Sequence, residues 1–152
     1  MKLEHSFSFL ATLKQSPLPI GDGPFGTRMF FEIDGGSVEG PDLQGRMVGG
    51  GGDWILIGAD GFGRIDVRAQ MVTHDGAAIY FQYFGLLEMN EAVMRKLADP
   101  ASSTDFGDQY FRSAPRLETG DPRYAWVNRT LFVAEGRMPA VSGVEYRVYR
   151  VA

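Results

Sequence analysis

The chain has 152 residues, no cysteine and a formal net charge of −4. This length fits a single domain, residues 1–152. The lack of cysteine excludes disulfides, cysteine-ligated metal sites and thiol catalysis. The 15 lysine and arginine residues are scattered along the sequence, which argues against a nucleic-acid partner because such a partner requires a clustered basic face.

The first twenty residues contain no uninterrupted apolar segment, since Lys2, Glu4 and Lys14 interrupt it. We therefore expect no signal peptide. No stretch approaches 18 consecutive apolar residues, so we also expect no membrane span. With the absence of cysteine, these features predict a cytoplasmic protein.

Strand signals dominate the first half of the chain. Glycine accounts for 20 residues and aromatic residues for 12% of the chain, a composition typical of many strands joined by turns. In chain order, apolar alternation and β-rich composition predict strands over residues 3–13, 27–33, 43–48, 53–57, 64–73 and 77–87. The breaker-rich residues 17–26 predict a loop, and Asp60-Gly61 and Asp75-Gly76 predict hairpin turns.

The second half contains the one predicted helix, Asn90–Ala98. Asn90 can cap its first turn, and Asp99-Pro100 ends it. Further strands are predicted over residues 109–115, 124–135 and 144–151. About eight to ten strands at this spacing predict an all-β sandwich or barrel with one short helix.

A run of four glycines, Gly49–Gly52, precedes Asp53 and Trp54. A phosphate loop would require a lysine and a following helix, and neither is present. One alternative is a bulged corner between strands. The other is that the glycines let a ligand approach the backbone and direct Asp53 and Trp54 toward it.

Several polar side chains have two readings. Arg64, Asp66 and Arg68 share one face of a strand, which is either a solvated outer face or a polar lumen. The aromatic segments 110–112 and 124–128 indicate either ordinary barrel packing or a ligand pocket.

Other catalytic chemistries have weaker signals. His5 and His74 show no sign of meeting, so we expect no metal site. A Gly-x-Ser-x-Gly nucleophile motif does not occur. The carboxylate candidates for acid–base chemistry are Asp53, Asp66 and Glu118, one of which burial could bring toward neutral pH.

Two segments carry a resemblance to a known family. Gly-Gly-Asp-Trp (51–54) and Tyr-Ala-Trp-Val-Asn (124–128) are its most specific motifs, although the family more often has leucine at position 127. The chain resembles the domain-of-unknown-function family numbered 3237, also called uncharacterised protein family 0311. Further matching positions are Arg28, Gly36, Glu39-Gly40-Pro41, Gly45, Asp60-Gly61, Asp66-Val67-Arg68, Asp75-Gly76, Gly85, Phe111-Arg112 and Leu117-Glu118-Thr119.

The resemblance implies a small closed antiparallel β-barrel, similar in plan to the allene oxide cyclase and dirigent barrels. Barrels of that plan tend to hold hydrophobic or phenolic small molecules. Where they catalyse, they promote isomerisation, cyclisation or elimination without a cofactor. Fold likeness alone does not fix an activity.

We therefore expect a small-molecule ligand in the barrel and, as one hypothesis, a cofactor-independent enzyme. Asp53 would act as general acid or base and Arg68 as the second catalytic residue, holding an anionic oxygen. The predicted ligand-binding residues are Arg28, Trp54, Arg112, Tyr124, Trp126 and Asn128. The alternatives are a non-catalytic carrier and a structural subunit with a packed lumen. A homodimer is expected because two-fold dimers are the commonest oligomers.

Overall fold

The computed structural model describes all 152 residues, which form eleven strands, one α-helix and one 3₁₀ helix. The strands are β1 (Leu3–Leu13), β2 (Leu18–Gly23), β3 (Gly26–Glu39), β4 (Gly45–Met47), β5 (Gly52–Asp53), β6 (Leu56–Ile57), β7 (Phe62–Thr73), β8 (Ala78–Glu88), β9 (Phe111–Glu118), β10 (Phe132–Arg137) and β11 (Gly143–Val151). The α-helix is α1 (Glu91–Ala98), and the 3₁₀ helix spans Pro122–Arg129.

The strands close into one antiparallel barrel. β1, β11, β10, β9, β8 and β7 follow one another round the sheet. The short strands β4, β5 and β6 share the next position, because each pairs with both β7 and β3. β3 pairs with β1 and completes the ring. These eight positions confirm the predicted closed antiparallel barrel, and an eight-stranded barrel is just wide enough to hold one small ligand.

The barrel has two distinct ends. Leu87 of β8 pairs with Phe111 of β9, and Gly143 of β11 pairs with β1, at the end where α1 follows β8. We call this the helix end. The 3₁₀ helix joins β9 to β10 at the opposite end, where Glu118 pairs with Tyr80, and we call that the 3₁₀ end.

Aromatic side chains fill the barrel toward the 3₁₀ end. Phe7, Phe9 and Phe81 are buried, and the Phe9 and Phe81 rings meet edge to face with centroids 4.9 Å apart. Phe7 also contacts Phe132 at 6.1 Å. Val127 of the 3₁₀ helix is buried in the same core, so this half of the lumen is packed with side chains.

The one α-helix begins where the sequence predicts. Asn90 Oδ1 accepts a hydrogen bond from the backbone N–H of Val93 at 3.1 Å and so caps the first turn. Val93 is the apolar contact of the helix with the core. No helix of the fold has the length and apolarity needed to cross a membrane.

Two predicted elements were wrong. Residues 17–26 are not a loop, since β2 pairs with β3 and continues the line of β1 along the same edge. Residues 124–135 are not one strand. Asp121 Oδ1 accepts the backbone N–H of Arg123 at 2.9 Å, and Pro122 follows it. This cap and proline start a 3₁₀ helix, so the strand begins at Phe132.

Candidate functional site

A cavity of about 920 Å³ occupies the barrel at the helix end. Most of its lining is apolar, including Met29, Phe31 and Ile33 from β3 and Ile65 and Val67 from β7. Side chains of α1 and of the segments 13–17 and 138–144 surround its mouth. The lumen is therefore filled in one half and open in the other, and the open half is large enough for a small organic molecule.

The glycine run brings Asp53 into this cavity. Gly51 has a φ of +80°, and a side chain there would meet the backbone oxygen of Arg68 at 2.2 Å. Glycine therefore lets the chain turn tightly against β7. Asp53 then pairs with Val67 and faces inward, whereas Trp54, the next residue, faces outward. The glycine run therefore forms a corner between strands, which was one of the two alternatives drawn from the sequence. The corner also directs the Asp53 side chain into the cavity.

The Asp53 carboxyl lies among apolar side chains, and this burial raises its pKa from an ordinary value of 3.8 to about 7. The backbone N–H of Asp66, which donates to Asp53 Oδ1 at 3.1 Å, lowers the pKa, and the charge of Asp66 raises it. Oδ2 makes no hydrogen bond within the protein. The cavity thus contains a carboxyl that is poised to gain or lose a proton near neutral pH.

Two tyrosines share the cavity with Asp53. Tyr83 of β8 and Tyr146 of β11 both line it, and their ring centroids are 5.2 Å apart. Burial raises the pKa of each phenol well above its ordinary value, and the charge of Asp53 raises both further. Both side chains therefore remain protonated and act as hydrogen-bond donors at neutral pH.

Lys96 lies at the mouth. Its Nζ donates to the backbone oxygens of Pro100 at 2.5 Å and Val141 at 3.3 Å. Burial lowers its pKa. Lys96 thereby ties α1 to the segment that precedes β11, across the rim of the cavity.

A family model described as "Protein of unknown function (DUF3237)" matches residues 1–151. The chain belongs to this family. A relative from Clostridium acetobutylicum, UPF0311 protein CA_C3321, is 31% identical over 100% of this chain and 95% of its own length. The crystal structure of RPA1785 from Rhodopseudomonas palustris, a conserved protein of unknown function, has a TM-score of 0.88 at 28% identity and covers 100% of this chain and 99% of that chain.

Two fungal proteins are more distant. PR-toxin biosynthesis cluster protein 7 from Penicillium roqueforti is 26% identical over 79% of this chain and 61% of its own length. The crystal structure of an enzyme from Penicillium herquei has a TM-score of 0.68 at 21% identity and covers 99% of this chain and 94% of that chain. The second of these likenesses concerns the fold alone.

Within this member of the family, the structure separates most predicted site residues from Asp53. Arg68 is exposed on the outer face of β7, so its predicted position in the lumen was wrong. Trp54 stacks on Phe30 at 4.7 Å outside the barrel. Arg28 Nη1 donates to the backbone oxygen of Trp54 at 2.8 Å. These side chains form an outer cluster and do not line the cavity.

The other four predicted residues also lie elsewhere. Arg112 is on the outer face and lies 5.4 Å from the Tyr110 ring centroid. Tyr124 donates to Asp75 Oδ1 at 2.8 Å, and Asn128 bonds both backbone groups of Thr119. Trp126 packs on Phe132. Arg112 therefore lies outside the barrel, and the other three residues hold the 3₁₀ end together.

Tyr83, Tyr146 and Lys96 were not predicted as site residues from the sequence. For Tyr146 a signal exists: Val144, Tyr146 and Val148 alternate with charged residues, which predicts an inward Tyr146. For Tyr83 no comparable signal exists, because both faces of β8 carry aromatic residues.

Proposed function

We propose that this protein is a cofactor-independent enzyme that moves a proton within an apolar metabolite bound in the barrel, in an isomerisation, cyclisation or elimination. The observation that carries the proposal is the Asp53 carboxyl, which lines a largely apolar cavity and has a pKa of about 7. A carboxyl buried without an ionic partner lowers stability when it ionises. Carboxyl groups whose pKa is strongly raised by burial are typical of functional sites.

The chemistry needs one proton carrier. The Asp53 carboxylate accepts a proton from the substrate, and the carboxylic acid so formed returns it to a different atom of the same molecule. Because the pKa is close to neutral, both forms of Asp53 are populated, which favours acid–base catalysis in both directions. The apolar walls exclude water from the intermediate.

The distant relative from Penicillium roqueforti supports a metabolic role, since its name connects that protein with toxin biosynthesis. The cavity size supports a single small organic substrate. A carrier would also use an apolar cavity, but it has no need of a carboxyl with a raised pKa.

The first test is a thermal-shift screen with phenolic, keto and fatty-acid metabolites. A ligand present at 100 times its dissociation constant stabilises the protein by about 2.7 kcal/mol. Each hit is then incubated with the protein and followed by mass spectrometry and NMR. Conversion supports an enzyme, whereas a hit that binds and persists unchanged favours the carrier.

The matched pair for the converted hit is Asp53→Asn and Asp66→Asn. Asp66 lies on β7, the strand that pairs with Asp53, but its side chain does not line the cavity. We expect Asp53→Asn to lower kcat by at least about 100-fold, in line with the loss of a general base, and Asp66→Asn to retain most activity. Unchanged turnover in a folded Asp53→Asn protein would remove Asp53 from the mechanism.

A further inference from the structure

Tyr83 lies in the same row of residues as Asp53. Asp53 pairs with Val67 across β5 and β7, and Val67 pairs with Tyr83 across β7 and β8. Neighbouring strands are about 4.8 Å apart, and paired residues point to the same face of a sheet. Asp53 and Tyr83 therefore enter the cavity from one wall at the same depth.

Tyr146 reaches the same place from another wall. It belongs to β11, which is separated from β8 by β9 and β10. Its ring stacks on Phe9 at 5.0 Å and lies 5.0 Å from the Phe111 centroid. These rings fix the Tyr146 side chain, so its hydroxyl has a defined position against Tyr83.

The two hydroxyls lack partners in the rest of the barrel. Their ring centroids are 5.2 Å apart, and, besides burial, the contact between the two hydroxyls shifts the pKa of both phenols. Neither hydroxyl forms a hydrogen bond to any other residue. Tyr83 is 2% and Tyr146 is 1% exposed, but neither hydroxyl is among the buried side-chain polar atoms that lack a partner, which are Gln109 Oε1 and Ser113 Oγ. Two hydroxyls that bond only each other use one O–H and leave the second without an acceptor. Because both tyrosines line the cavity, that remaining O–H is accessible from the cavity, and a molecule bound there can accept a hydrogen bond from it.

We propose that Tyr83 and Tyr146 form an oxygen-binding pair that holds the carbonyl oxygen of the substrate. The substrate class is then an apolar ketone or enone whose oxygen accepts from the tyrosines while a neighbouring C–H faces Asp53. This inference rests on the proposed function for the role of Asp53. Removal of the proton by Asp53 places the electron pair on the carbonyl oxygen as an enolate, and the donors stabilise that charge. In an enone the enolate is conjugated with the C=C bond, so return of the proton at the far carbon of that bond moves the double bond and restores the carbonyl. In a simple ketone the proton returns to the carbon that lost it, on either face.

The test uses two ligands of similar shape, 2-acetylnaphthalene and 2-isopropylnaphthalene, which differ mainly in the carbonyl oxygen. Their affinities are measured by fluorescence titration with the wild type, Tyr83→Phe and Tyr146→Phe. We expect each substitution to weaken binding of the ketone by about tenfold, the effect of one lost hydrogen bond. Binding of the hydrocarbon should change less than twofold. The control is Tyr80→Phe, a tyrosine on the outer face of the same strand.

A spectroscopic readout separates donation from packing. The infrared carbonyl stretch of bound 2-acetylnaphthalene should lie at lower frequency in the wild type than in apolar solvent, and the shift should shrink in the Phe variants. Equal affinity losses for both ligands, no losses, or no frequency shift would each overturn the oxygen-binding pair.

The same assay distinguishes this inference from the proposed function. Asp53→Asn should still prefer the ketone over the hydrocarbon, because the tyrosines remain. If ketones bind through the tyrosines but Asp53→Asn leaves turnover intact, the result supports the oxygen-binding pair and contradicts the proposed role of Asp53. If Asp53→Asn abolishes turnover while the Phe variants bind both ligands normally, the result supports the role of Asp53 and contradicts the oxygen-binding pair.

Discussion

The two halves of the barrel use the same strands for opposite purposes. Toward the 3₁₀ end, the inward side chains of β1 and β8 are the buried aromatics Phe7, Phe9 and Phe81. Toward the helix end, β3 and β7 contribute Met29, Phe31, Ile33, Ile65 and Val67, which leave a cavity beside Asp53. The aromatic half stabilises the fold, and this stability allows the open half to carry a carboxyl whose ionisation is unfavourable.

The largest effect that would test this contrast comes from Phe81→Ala. Phe81 is fully buried against Phe7 and Phe9, so its removal should lower the free energy of unfolding by about 3–5 kcal/mol. The matched control is Phe84→Ala on the same strand, where the ring is 65% exposed. Urea denaturation measures both. Similar losses for the two variants would contradict a stabilising aromatic half.

The second effect concerns the pH dependence of stability. Because folding raises the pKa of Asp53 from 3.8 to about 7, the native state favours the protonated form. The stability from this preference is fully present below pH 3.8 and is lost as the pH rises through 7. Asparagine does not ionise, so the Asp53→Asn variant does not lose stability in this way as the pH rises. The free energy of unfolding of Asp53→Asn relative to the wild type should therefore increase by about 2–3 kcal/mol between pH 5 and pH 8.

Urea denaturation at the two pH values measures this difference, and Asp22→Asn, at an exposed position outside the cavity, serves as the control. A constant difference between Asp53→Asn and the wild type across this range would show that Asp53 is not in a low-polarity site. The open half of the barrel would then not carry a carboxyl whose ionisation is unfavourable, and the two halves would differ only in how they are packed.

A third pair of variants adds the same bulk to each half. Ile79 is fully buried and does not line the cavity, whereas Ile57 lines it near the mouth. Ile79→Trp should therefore destabilise the protein by about 1–3 kcal/mol through overpacking. Ile57→Trp should have a smaller effect on thermal stability but weaken binding of 2-acetylnaphthalene. If Ile57→Trp destabilised as much as Ile79→Trp, the helix end would not be open.

The smallest effect is expected at Asn128 on the 3₁₀ end. Its side chain bonds the backbone N–H and oxygen of Thr119 at 2.8 and 2.9 Å. Asn128→Ala should cost about 1 kcal/mol of stability without changing ligand affinity, and Arg129→Ala, at the adjacent exposed position, should change neither. A loss of ligand affinity in Asn128→Ala would show that Asn128 contributes to ligand binding, as the sequence had predicted.

Local patterns in the sequence were sufficient for most elements. Asn90 as a cap and Asp99-Pro100 as a stop determine α1, because capping involves only nearby residues. The alternation over residues 144–151 matches β11. At residues 124–135 the local composition gave a wrong prediction. The aromatic residues there favoured a strand, but Asp121 and Pro122 just before them begin a 3₁₀ helix.

The site itself depended on the tertiary structure. The sequence singled out Asp53, because the glycine run beside it is conspicuous, but it also grouped Asp53 with Arg68 and Trp126. Which face of a strand points inward changes with a shift of one residue, so outer and inner side chains cannot be assigned reliably from composition alone. Tyr83 and Tyr146 meet only because β8 and β11 belong to one closed barrel. The raised pKa of Asp53 likewise arises from burial among side chains distant in sequence, and burial is a property of the packed fold.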